Sequence, residues 1–122
     1  TCPLAGFRDP TNAPNDWQGA LRFAPLDPER IAHLIALDLR AAAADGVRIG
    51  ERGLMVTCLD QGRGRFTWTS GSRTGARRRV GDERALLDAL VEACGPTRLY
   101  TAHGVSRDAC ARDVVYPGER AA

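Results

Sequence analysis

Two amphipathic segments, each bounded by a helix start and a helix stop, constrain the fold of this chain more than any other feature. The first covers residues 27–45, where Asp27 can cap the helix, Pro28 suits its first turn and Asp45-Gly46 ends it. At about 100° per residue its apolar side chains form one stripe, made of Ile31, Leu34, Ile35, Leu39 and Ala42. We expect a helix that buries this stripe.

One carboxylate, Asp38, falls inside that stripe. An unpaired carboxylate in the core would cost on the order of several kcal/mol, so it must be paired or hydrogen-bonded. We therefore expect an ion pair with an arginine in or near the core, and a functional carboxylate is the alternative.

The second amphipathic segment covers residues 82–94. It starts at Asp82-Glu83 and ends at Gly95-Pro96. Its predicted buried side consists of Leu86, Leu87, Leu90, Val91 and Cys94.

Short β-branched and aromatic segments lie between and after these helices. Residues 54–60 and 65–70, separated by the sequence QGRG, predict a hairpin, and residues 77–80 predict a third strand of an antiparallel meander. Residues 98–103 and 114–116 predict two more strands. Residues 106–113 are interpreted as a loop or one helical turn.

These elements predict one α+β domain over residues 1–122, with two amphipathic helices on a small, mainly antiparallel sheet. The predicted order is helix, three-strand meander, helix, strand, short turn, strand, and the second helix permits a parallel crossover. Residues 1–20 are interpreted as an irregular N-terminal arm and residues 117–122 as a frayed tail.

Four cysteines permit two disulfides: Cys2, Cys58, Cys94 and Cys110. Pairing Cys2 with Cys58 and Cys94 with Cys110 would attach each terminal segment to a core element, which favours a periplasmic or secreted protein. A cytoplasmic protein with reduced cysteines is the alternative. No cysteine lies in a CxxC spacing, so we expect no structural metal, and no cofactor motif or membrane-spanning apolar segment is present.

The strongest functional signal is an arginine-rich segment. No acidic residue occurs between Asp60 and Asp82, whereas the net charge of the whole chain is only +2. Six arginines lie in this interval: Arg63, Arg65, Arg73, Arg77, Arg78 and Arg79. Residues 61–79 could bind a protein or another anionic partner, bind a nucleic acid, or keep a sheet edge soluble.

The alternation of residues 65–70 separates these possibilities. Phe66, Trp68 and Ser70 share one face of the predicted strand, and Arg65, Thr67 and Thr69 share the other. If the aromatic side chains cover the core they cannot stack on bases, so a protein partner is favoured over a nucleic acid.

A histidine at the end of a predicted strand supplies a catalytic alternative. His103 could act with Asp108 or Tyr100, and the arginines would then hold an anionic substrate. No GxSxG sequence or phosphate-binding loop accompanies it. This alternative describes a small hydrolase, nuclease or secreted toxin domain.

The sequence AHGVSRD, residues 102–108, resembles the second motif of the ribonuclease H-like exonucleases, in which a closing aspartate binds a catalytic metal. The resemblance implies that Asp108 and Asp60 would be metal ligands. It covers seven residues, and the Asp-x-Glu of the family's first strand is replaced by Asp60-Gln61-Gly62.

The leading hypothesis from the sequence is a non-enzymatic interaction domain, exported and disulfide-stabilised, that presents the arginine-rich hairpin to an anionic or protein partner. The absence of any complete catalytic set of residues favours it over the hydrolase alternative.

Overall fold

The described part of the chain folds into two helices and five strands that form two separate sheets, a mixed α+β arrangement. The computed structural model describes residues 16–17, 24–71, 75–104, 106, 108 and 110–113, with the backbone alone for 111–113. Most of the predicted arm, the strand expected at 114–116 and the C-terminal tail lie outside the described residues. None of the helices in the described part of the chain is long and apolar enough to span a membrane.

Helix α1, Pro28–Ala44, forms where the sequence predicts it. The Asp27 carboxylate caps its start by accepting a hydrogen bond from the Arg30 backbone N–H at 3.0 Å. At its end the Asp45 N–H donates to the Ala41 carbonyl at 3.0 Å. Gly46 then takes a left-handed conformation with φ 75°.

The apolar stripe of α1 is only partly covered. Ile31, Ile35 and Leu39 are half-buried, whereas Leu34 is 51% exposed. Asp38 is also exposed and pairs with no arginine among the described residues, so the expected core ion pair is wrong. Arg52 lines the same cavity of about 340 Å³ as Asp38, but its Nη2 donates to the Gly95 carbonyl oxygen at 2.7 Å.

Helix α2, Glu83–Cys94, also follows its sequence signals. The Asp82 carboxylate accepts from the Ala85 N–H at 2.9 Å, and Gly95 ends the helix with φ 55°. Four of the five residues predicted for its buried side are buried and Val91 is half-buried; the four are Leu86, Leu87, Leu90 and Cys94.

Strand β4, Arg98–Ala102, is the centre of a three-stranded sheet between β1, Gly53–Val56, and β5, Cys110–Asp113. Strand β1 pairs with β4 in parallel, with Leu54 opposite Leu99 and Val56 opposite Thr101. Strand β5 pairs with β4 antiparallel. The expected loop or helical turn over residues 106–113 is therefore wrong at residues 110–113, where the backbone pairs with the central strand.

The second sheet is a hairpin of β2, Phe66–Ser70, and β3, Arg77–Gly81. The predicted meander is wrong at its first step, since β1 pairs with β4 and not with β2. A short 3₁₀ turn, Leu59–Gly62, follows β1, with left-handed backbone at Cys58 (φ 62°) before it and Arg63 (φ 48°) after it. These bends direct the chain away from β1, and Leu59 enters the core.

The core lies between α2, the hairpin and strand β1. Its centre is formed by Leu59, Trp68, Leu86 and Leu90, which are 2–8% exposed. Half-buried side chains from α1, β1, β2 and α2 pack around them: Ile31, Leu54, Val56, Phe66, Ala85 and Ala89. Burial of apolar surface stabilises a fold by about 25 cal/mol per Å², so this cluster contributes to the stability of the domain.

The expected disulfide between Cys94 and Cys110 is not formed. Cys94 is buried at the end of α2, with its Sγ 3.9 Å from the Pro28 carbonyl oxygen, whereas Cys110 is exposed at the start of β5. Burial raises the pKa of the Cys94 thiol. Cys58 is also a free, exposed thiol, and its expected partner Cys2 lies outside the described residues.

Candidate partner-binding surface

Strand β3 presents three consecutive arginines on an exposed strand. Arg77, Arg78 and Arg79 are all exposed, and Val80 beside them is 48% exposed. Successive side chains of a strand point to opposite faces, so the three guanidinium groups extend to both sides of the hairpin. Arg77 and Arg79 lie on one face and Arg78 lies on the other.

The register with β2 fixes what each of these arginines has as its neighbour. Arg79 lies opposite Trp68, Arg78 opposite Thr69 and Arg77 opposite Ser70. The Arg79 Nε donates a hydrogen bond to the Ser70 Oγ at 2.9 Å, which orients one guanidinium along the hairpin.

Two further arginines follow the 3₁₀ turn. Arg63 and Arg65 are exposed on either side of Gly64, whose φ of 76° continues the left-handed bend. The Arg65 N–H donates to the Gly62 carbonyl at 2.9 Å and so closes the turn that leads into β2. We call Arg63, Arg65, Arg77, Arg78 and Arg79 the arginine face, a name for this exposed set of side chains and not for one side of the hairpin. Arg73, predicted with them, lies outside the described residues.

The charges of the arginine face are not neutralised by any described residue. The ion pairs among those residues lie elsewhere and join Arg84 to Asp88 at 3.0 Å and Arg98 to Glu51 at 2.7 Å, and the His103 Nε2 lies 2.9 Å from the Glu83 carboxylate. Clustered like charges without counter-charges raise the local positive potential and attract anions.

The hairpin that carries these arginines is anchored to the rest of the domain. Trp68 is 8% exposed in the core. The Gly71 N–H donates to the Glu29 carboxylate of α1 at 2.6 Å, and the Thr69 N–H donates to the Leu26 carbonyl at 2.7 Å. The arginine face therefore lies on a supported hairpin rather than on an isolated loop.

The aromatic residues of β2 belong to the core, as the alternation predicts. Trp68 is part of the central cluster, and the half-buried Phe66 packs against it. Trp68 therefore offers no open ring on which a base could stack, whereas the half-buried Phe66 lines a cavity of about 250 Å³ together with Arg65.

Among the described residues, the structure shows no hydrogen bond between His103 and the two residues predicted to act with it, Tyr100 and Asp108. His103 Nε2 instead contacts both carboxylate oxygens of Glu83 at 2.9 Å. Glu83, in the first turn of α2, was not predicted as its partner. The topology could have indicated this contact. A helix that leads back into β4 has its first turn near the last residues of that strand.

The described residues contain no group of three or more histidine, cysteine, aspartate or glutamate side chains placed to hold a metal ion. Asp60 lies in the exposed 3₁₀ turn and Asp108 is exposed after β4. The two carboxylates that the exonuclease resemblance implies as ligands are therefore not part of such a group.

Comparison of the chain with protein-family models, with curated proteins and with solved structures found no match.

Proposed function

We propose that this domain binds an anionic protein partner through the arginine face. The observation that carries the proposal is the exposure of all five arginines, none of which has an acidic partner among the described residues. Arginine suits this role because its planar guanidinium can donate two parallel hydrogen bonds to one carboxylate.

The burial of Trp68 and Phe66 supports a protein partner over a single-stranded nucleic acid. Sites that bind single strands combine basic side chains with exposed aromatic rings on which bases stack. Here the basic side chains are exposed, the Trp68 ring is buried in the core and the Phe66 ring is half-buried against it.

Electrostatic attraction of this kind raises the association rate more than it lowers the dissociation rate, and dissolved salt screens it. Binding should therefore weaken as ionic strength rises. Exposed ion pairs each contribute about 0.2–1 kcal/mol, so several together are needed for measurable affinity.

The test uses fluorescent poly-glutamate as the anionic probe. The triple variant R77Q/R78Q/R79Q should bind it about tenfold more weakly than the unmodified protein, with a smaller dependence on salt. These side chains are exposed, so the circular dichroism spectrum should not change. Titration by fluorescence anisotropy at several salt concentrations measures both effects.

The matched control is R30Q/R40Q/R48Q, which removes the same charge from exposed positions in and after α1. It should lower affinity much less than the β3 variant. Equal losses in the two variants would show that only net charge matters and would overturn the proposal. Tighter binding of a single-stranded DNA of matched charge would indicate a nucleic-acid partner instead.

The hydrolase alternative stays a prediction. Glu83 gives His103 an oriented carboxylate neighbour, but neither Tyr100 nor Asp108 joins them in the described part of the chain. The arginine face needs no such group, because its proposed role is binding alone.

A further inference from the structure

Strand β3 has a strand neighbour on one side only among the described residues. Its inner edge pairs with β2. The opposite edge of the hairpin is occupied, since Leu26 bridges to Trp68 and its carbonyl accepts from the Thr69 N–H at 2.7 Å. No described strand pairs with the outer edge of β3, so its outward-facing backbone N–H and C=O groups have no strand partner in the described part of the chain.

A second copy of this chain is a poor occupant of that edge. Antiparallel pairing of β3 with itself would set Arg77, Arg78 and Arg79 against arginines of the other copy. Like charges directly opposite each other destabilise a strand pair. A second copy of β3 would therefore pair poorly with this edge, and a strand of opposite charge would pair better.

We propose that the occupant is an extended acidic segment of a partner protein, which adds to the outer edge of β3 as a further strand. This inference rests on the proposed function and adds the mode of binding to it. Main-chain hydrogen bonds to an exposed sheet edge supply affinity, and alternate side chains supply specificity.

The pattern of β3 states which acidic segment fits best. Arg77 and Arg79 share one face, so acidic residues at alternate positions of the partner would meet both. Arg78 and Val80 share the other face, where Val80 is 48% exposed. Acidic residues at every second position of the partner strand would match Arg77 and Arg79 by charge. Polar or β-branched residues between them would match the face of Arg78 and Val80 by shape.

The experiment compares two forms of a short alternating Glu-Thr peptide with the unmodified protein. One form has ordinary backbone amides, and the other carries N-methyl groups on its central backbone nitrogens. The two peptides have the same charge, but the methylated peptide cannot donate hydrogen bonds from its central backbone nitrogens to a strand edge. We expect the methylated peptide to bind at least about tenfold more weakly.

Amide hydrogen exchange on the same complexes identifies the edge. In an antiparallel hairpin, alternate residues of β3 direct their N–H groups away from β2. The ordinary peptide should slow exchange at alternate positions within Arg77–Val80, and the methylated peptide should not.

The outcomes separate the two proposals. Equal binding of both peptides without protection of β3 would overturn strand addition and leave charge-based binding by the arginine face intact. Failure of both peptides and of poly-glutamate to bind would overturn the proposed function as well. Tighter binding of single-stranded DNA than of the ordinary peptide would also overturn strand addition by an acidic protein segment.

Discussion

Gly81, the last residue of β3, lies where the hairpin meets α2 and has no room for a side chain. A Cβ added there would lie 2.9 Å from Cη2 of Trp68 and 3.0 Å from the Cβ of Ala85. Trp68 cannot withdraw easily, because it is 8% exposed within the core. The absence of a side chain at Gly81 allows the end of β3 to lie close to α2.

Replacing Gly81 with alanine should lower the free energy of unfolding by about 1–3 kcal/mol, because the new methyl group overpacks the Trp68 contact. Urea denaturation followed by circular dichroism measures the change. Gly50→Ala is the matched control, since a Cβ at Gly50 has no heavy atom within 4 Å. A Gly81 variant as stable as the Gly50 variant would contradict the packing described for β3.

Among the elements, the two helices depend on their caps. The Asp82 carboxylate satisfies the Ala85 N–H at 2.9 Å, one of the first-turn donors that have no partner within the helix. Because α2 supplies Leu86, Leu87 and Leu90 to the core, weakening its start should weaken the whole domain.

Asp82→Ala should therefore destabilise the protein by about 0.5–2 kcal/mol, the usual cost of losing an N-cap. Thermal and urea unfolding measure this change. Glu92→Ala, on the exposed side of the same helix, should change stability by less than about 0.5 kcal/mol. If both substitutions have the same effect, the cap does not stabilise α2 as described.

The helices could be predicted from the sequence because their signals are local. Asp27 and Asp82 begin them, and Gly46 and Gly95 follow their ends. The pairing of the strands could not be predicted from the sequence, because β1 pairs with β4 more than forty residues further along the chain. The left-handed backbone at Cys58 also has no sequence signal, because a non-glycine residue rarely adopts it.

Some features of the candidate site could likewise be predicted from the sequence, and others required the fold. The arginine cluster follows from the composition of the segment, and the burial of Trp68 follows from the alternation of residues along the strand. Both can be predicted from the sequence alone. The contact between His103 and Glu83 depends on where a crossover helix begins relative to the end of β4, and this requires the fold. The open edge of β3 also requires the fold, because the predicted crossover could have placed β4 beside β3, whereas β4 pairs with β1 and β5.

At the scale of the whole molecule, charge is distributed unevenly. The net charge is only +2, yet residues 61–81 contain six arginines and no acid, so the rest of the chain is net acidic. Such asymmetry would orient the proposed anionic partner toward the arginine face. The hairpin that carries this face is anchored by the core, by Glu29 and by Leu26.

The most direct test of this account is to locate where an acidic ligand contacts the protein. A two-dimensional nitrogen–proton NMR titration with poly-glutamate should shift the amides of Arg63, Arg65 and residues 77–80 most. It should leave His103 and the exposed side of α1 nearly unchanged. Shifts concentrated at His103, or spread evenly over all exposed arginines, would contradict the arginine face as the partner-binding surface.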